Sequence, residues 1–141
     1  MIKIIYGSKG SGKTKMIIES ANNALDVCKG NIVFITDTLG YSKDVKTAIR
    51  FFNVKDYAPS YNEDMFKGFI RGIAASNTDI KRIYIDGICR IIGLKADELE
   101  EYFLDLESIA HASGIDIILT VSCDTLPVFL KKYTSRTKPA K

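Results

Sequence analysis

Gly7-Ser8-Lys9-Gly10-Ser11-Gly12-Lys13-Thr14 decides how the rest of this 141-residue chain is read. The spacing is G-x-x-x-x-G-K-[ST] at every specified position. Glycines let the backbone curl tightly enough to turn its N–H groups toward one anion. A helix opening inside such a loop adds the partial positive charge of its N-terminus. The residues on either side fit that geometry. Ile2-Lys3-Ile4-Ile5-Tyr6 is a short β-branched and aromatic run, as a strand should be, and Ile17, Ile18, Ala21, Ala24, Leu25 and Cys28 recur at helical spacing after the loop.

With strand, loop and helix in register, the stretch resembles the phosphate-binding loop (Walker A) of the P-loop NTPases. The resemblance implies nucleotide binding by Gly7, Ser8, Lys9, Gly10, Ser11, Gly12, Lys13, Thr14 and Lys15. It implies that Lys13 reaches the β- and γ-phosphates as a catalytic cation and that Thr14 ligates Mg²⁺. The implied ligands are ATP or another nucleoside triphosphate with Mg²⁺.

Working outward, Gly30 reads as a helix stop, and Asn31–Thr36 as a continuous apolar strand ending at Asp37-Thr38. Continuous rather than alternating hydrophobicity predicts burial on both faces, as in a parallel sheet. Ser42 is expected to cap a helix carrying Val45, Ala48, Ile49 and Phe52. Residues 53–61 read as a connection, and Ser60 or Asn62 as the cap of a helix whose buried face includes Met65, Phe66, Phe69, Ile70 and Ile73. Gly68 and Gly72 inside that helix each cost about 1 kcal/mol against alanine, and their spacing allows close backbone approach to a neighbouring element, within the monomer by default or in a second subunit.

Lys81–Asp86 is a third strand ending in an acid, and residues 96–112 an amphipathic helix with an acidic outer side. Gly114 stops that helix, and Ile115–Val121 is a fourth strand. Asp124-Thr125 is expected to cap a last short helix through Tyr133, with Pro127 in its first turn. Strands alternating with helices predict an α/β three-layer sandwich: a mostly parallel sheet of about four to five strands with helices on both faces, the P-loop NTPase fold. One domain is expected over residues 1–133, followed by a basic tail at 134–141.

Ligands in such sheets sit outside the carboxyl ends of the strands. Gly7 with its loop, Asp37, Asp86, Ser122 and Asp124 all arise at those ends. Asp86 resembles a Walker B aspartate, which implies a role holding Mg²⁺ beside Thr14. Many ATPases of the additional-strand class carry Glu directly after that Asp; here the position is Gly87. In the RecA-like group the catalytic acid ends the strand after the first helix, which is the place of Asp37, and Ser122 stands where a polar γ-phosphate sensor lies. Asp37 is thus a candidate base, with a plain turn residue as the alternative. Asp124 reads as a cap. The RecA-like order also puts the second strand beside the Asp86 strand and the loop strand beyond the last one. A more diffuse similarity to thymidine kinase covers the Phe34–Asp37 and Ile85-Asp86 strand ends, without that kinase's acid or its zinc-binding cysteines.

These features predict Mg-dependent nucleoside triphosphate binding with slow or partner-stimulated hydrolysis. The alternatives are a small-molecule or nucleoside kinase with its acceptor between residues 53 and 66, a non-hydrolysing nucleotide-gated binding module, and a nucleic-acid motor. No arginine has an identifiable finger position, and Arg90 and Arg136 are candidates by location alone. An exposed sheet edge leaves room for a homo-oligomer, or for a protein partner supplying an arginine.

Composition sets the outer bounds. No apolar run approaches the ~20 residues that span a bilayer. Met1 leads almost directly into the first strand, with no secretory leader, so a cytoplasmic location is expected. Cys28, Cys89 and Cys123 form no C-x-x-C pair and read as reduced, mostly buried small hydrophobes. The net charge of +3 includes five cations and no acid in residues 131–141, leaving −2 for the rest. Such a tail suits nucleic acid or another acidic partner, or it is simply a frayed terminus.

Overall fold

The computed structural model describes residues 1–134; the expected tail therefore lies outside the described residues, except for its first position. Five strands form one all-parallel sheet: β1 (Ile2–Gly7), β2 (Asn31–Thr36), β3 (Arg50–Asn53), β4 (Ile80–Asp86) and β5 (Asp116–Ser122). Their spatial order is β1-β5-β4-β2-β3. The second strand thus lies beside the Asp86 strand, and the loop strand beyond the last one.

The continuous apolar runs are explained by burial on both sides. Along β2, Val33 and Ile35 enter one core cluster while Ile32 and Phe34 enter the other. One face is covered by α1 (Lys13–Ala24), which buries Ile17, Ile18, Ala21 and Ala24. The opposite face packs against α2 (Glu63–Ser76), the short α3 (Ile88–Ile92) and α4 (Glu100–Ser113), with Phe66, Ile70, Tyr102, Phe103 and Leu106 fully buried. Helix layers therefore flank a parallel sheet.

Several ends follow from local chemistry. Asn62 caps α2, its Oδ1 accepting from Met65 N at 2.8 Å. Gly114 ends α4 at φ +67°, where a side chain would be strained.

Other expectations are corrected. Residues 42–52 form no α-helix: Ser42–Asp44 is a single 3₁₀ turn, and Phe51 and Phe52 lie in β3, paired with Phe34 and Ile35. Val45 and Ile49 are buried as expected, but they reach the α1-side core from irregular backbone. The aromatic pair that follows suits a pleated strand. Helix α1 ends at Ala24, well before Gly30. Gly30 instead permits close approach, because an added Cβ would overlap Lys81 Cγ. Gly68 and Gly72 are exposed, and among the described residues a Cβ on either would meet nothing within 4 Å, so no described element of the chain makes the close approach. Met65 is exposed too. The last helix is 3₁₀ (Val128–Tyr133) and is preceded by Pro127, so Asp124 does not cap it.

Candidate functional site

The parallel register brings the strand ends to one rim. Gly7 is level with Ser122, and Thr36 with Asp86. The Gly7–Thr14 loop leaves β1 there and turns into α1, with Gly10 at φ +78° and Gly12 at φ +93°. Those left-handed positions are open to glycine and strained for other residues. Gly12 provides no side-chain cap for α1, so the N–H groups of its first turn face the rim without an intrahelical acceptor.

Three side chains converge on this loop. Lys13 is buried, and its Nζ donates to Ser8 O at 2.8 Å. Burial pushes its ammonium below the usual lysine value; Asp86 opposes that fall and Arg90 adds to it. Thr14 Oγ1 lies 3.0 Å from Asp86 Oδ2 and 3.2 Å from Oδ1. Asp86 is 2% exposed and also accepts from Thr120 Oγ1 at 2.9 Å, while Thr120 in turn accepts from Gly87 N at 2.7 Å. The carboxylate is thus fixed by two hydroxyls. Ser11 Oγ is buried and has no hydrogen-bond partner among the described residues, an unsatisfied state that a bound acceptor would relieve.

A cavity of about 900 Å³ opens over these groups. Lys9 through Lys15, Asp86, Arg90 and Ser122 line one end. The other end runs along α1 to Asn22 and the 41–46 segment. Asn22 holds that segment in place, donating to Asp44 O at 2.8 Å and accepting from Lys46 N at 3.0 Å.

Asp37 sits beyond Asp86, as its strand order requires, and its carboxylate is taken by Arg90. Arg90 Nη2 lies 2.9 Å from Asp37 Oδ1, and Nε is 3.3 Å from both oxygens. The same Nη2 is 3.9 Å from Asp86 Oδ2. Gly87 makes this possible: at φ +91° it has no side chain, and an added Cβ would overlap the Arg90 guanidinium. The position next to Asp86 is filled by a cation rather than by an acid. Asp124 is exposed, and Arg136 lies outside the described residues.

Sequence reasoning missed Thr120, Asn22 and the Arg90–Asp37 pairing. A threonine inside the otherwise apolar Ile117–Val121 run was a usable signal for the first. The stretch expected to frame an acceptor holds a ring cluster, in which Tyr61 packs edge-on against Phe66 and Phe69. Among the described residues no helix is long and apolar enough to cross a membrane.

Neither the protein-family models nor the curated proteins compared with this chain match it.

Proposed function

We propose that this protein is a P-loop nucleotide-binding protein that takes a nucleoside triphosphate, ATP first among them, with Mg²⁺, and hydrolyses it slowly or under a partner's stimulus. One observation carries the reading: Lys13, Thr14 and Asp86 meet over a glycine-rich loop whose helix N-terminus is uncapped. The donor set fits the ligand. The loop amides and the orphaned Ser11 hydroxyl suit phosphate oxygens, and the Lys13 ammonium suits the terminal phosphates. Thr14 and Asp86 are hard oxygen donors of the kind Mg²⁺ takes, the remainder of its shell coming from phosphate and water. The metal, when bound, neutralises charge on the phosphate chain.

The chain's own residues supply positioning and charge. The loop fixes the phosphates, Lys13 spreads its charge over them, and Thr120 keeps Asp86 aimed at Thr14. Activation of water is the weak part. Gly87 brings no acid and Asp37 is tied to Arg90, which supports slow turnover. The same observation favours a second reading, a nucleotide-gated binding module with no turnover.

Calorimetry with ATP and Mg²⁺ on the parent and on Lys13→Ala tests binding. Saturable binding lost in the variant is expected; equal affinity in both, or none in the parent, removes the proposal. Phosphate release measured in a single turnover, in dilute and in concentrated protein, then separates enzyme from switch.

A further inference from the structure

Arg90 is a cation of the cavity that the binding reading leaves without a task. It lines the same cavity as Lys13, Thr14 and Asp86, and its side chain is about half exposed there (46%). Its position is built rather than accidental. The left-handed Gly87 starts α3 and leaves a bare patch of backbone, against which the guanidinium folds back from the first turn. Asp37 binds it side-on through Nε and Nη2, and Nη1 makes no hydrogen bond to any described residue. Asp37, only 11% exposed, has no other hydrogen-bond partner for its carboxylate among the described residues.

We propose that Arg90 reads the terminal phosphate of a bound nucleoside triphosphate from within the same chain, leaving Asp37 to do so. The proposal rests on the nucleotide-binding reading and sharpens it. The geometry sets which phosphate is read. Lys13 serves the β- and γ-phosphates in such a loop, and the Thr14–Asp86 pair would hold the Mg²⁺ that accompanies them. A guanidinium 3.9 Å from Asp86 therefore lies at the γ end of the phosphate chain. A diphosphate ends short of it.

A phosphate oxygen and the Asp37 carboxylate want the same planar donor face, and each repels the other. Binding of the triphosphate exchanges one anion for the other. Asp37 is then a positioning residue that parks Arg90 when no γ-phosphate is present. Its release frees a buried carboxylate at the head of the 37–44 segment, a local change that differs between tri- and diphosphate states. Of the two arginines that were candidates by location, Arg90 would then supply the contact in cis, with none needed from a partner.

The test is calorimetric, with the β,γ-imido analogue of ATP and with ADP, each with Mg²⁺, on the whole chain. Arg90→Gln should weaken the analogue about tenfold or more, the worth of one charge-assisted contact, and leave ADP within about twofold. Asp37→Asn should tighten the analogue several-fold and leave ADP unchanged. In the Arg90→Gln background, Asp37→Asn should do nothing to either ligand. ADP affinity doubles as the control for folding. Equal losses for both ligands in Arg90→Gln would overturn the proposal, as would unchanged or weakened analogue binding in Asp37→Asn; in both cases the binding reading stands. A parent that binds neither nucleotide, or a Lys13→Ala variant that binds both normally, overturns the two together.

Discussion

The Thr14 hydroxyl lies within 3.2 Å of both carboxylate oxygens of Asp86, although 72 positions separate the two residues. One comes from the loop after β1 and the other from the end of β4, with β5 between their strands. In the proposed reading, these two hard oxygen groups would hold the Mg²⁺. Thr14→Val and Asp86→Asn should each lower ATP affinity about tenfold in Mg²⁺ and much less in EDTA, given the usual worth of a contact to a charged group. Calorimetry in the two buffers measures the difference. Equal losses with and without the metal would count against this arrangement.

Lys13 should make nucleotide affinity pH-dependent at alkaline pH. Burial lowers its pKa from 10.5 in the free protein, and phosphate beside it would raise that value again. The complex then binds more protons than the free protein, so affinity falls as pH rises through the lowered free value. The decline should begin before pH 10.5 and be absent in Lys13→Met, whose weaker binding should stay flat. A parent profile as flat as that of Lys13→Met removes the assignment.

Gly87→Ala should destabilise the protein by about 1–2 kcal/mol through its left-handed backbone alone, with a further cost from the Arg90 guanidinium that occupies the place of the new methyl group. Only the second part disappears in an Arg90→Ala background. A denaturant double-mutant cycle should therefore show coupling between positions 87 and 90. Identical costs in the two backgrounds would mean that Arg90 does not rest on this glycine.

Tyr102 is fully buried, and its hydroxyl has no hydrogen-bond partner among the described residues. Burial also drives its pKa far upward, so the group stays protonated. Leaving a hydroxyl unsatisfied in the core costs about 1–3 kcal/mol. Tyr102→Phe keeps the ring and should raise stability by about 1 kcal/mol. A destabilised variant would show that the hydroxyl has a partner.

Glu107 ties α4 to the last 3₁₀ helix. Tyr133 Oη donates to it and Lys132 Nζ lies 3.4 Å away, which together hold its carboxyl below the usual glutamate value. A depressed carboxylate contributes stability that is complete above the unfolded pKa near 4.3 and is lost as pH falls through the lower folded value. Glu107→Gln should therefore be less stable than the parent at pH 7, with the gap closing below about pH 4. Chemical denaturation across pH 2–7 checks this, and a gap that stays constant refutes it.

Much of the architecture was legible because the strands carry their own signal. Asn31–Thr36 reads as buried on both faces and is, since successive residues feed opposite cores. The miss at 42–52 has a definite cause. Val45, Ala48, Ile49 and Phe52 stand at helical spacing, yet Ala48 is exposed and the aromatic pair joins β2. Pairing to a neighbour 17 residues away outweighed local periodicity. At the rim, loop and Asp86 were legible because both mark strand ends. The Arg90–Asp37 contact was not, because it depends on the backbone sign at Gly87, which no spacing rule records.

The sheet order has one more consequence. Among the described residues β1, which carries the loop, is an outer strand with β5 as its one sheet neighbour, whereas β4, which carries Asp86, lies in the centre. Outer strands open to solvent more readily than central ones, so their amides exchange hydrogen sooner. The two halves of the rim should therefore keep different clocks: amides of β1 are expected to exchange before those of β4, so the glycine-rich strap would loosen ahead of the anvil at Asp86.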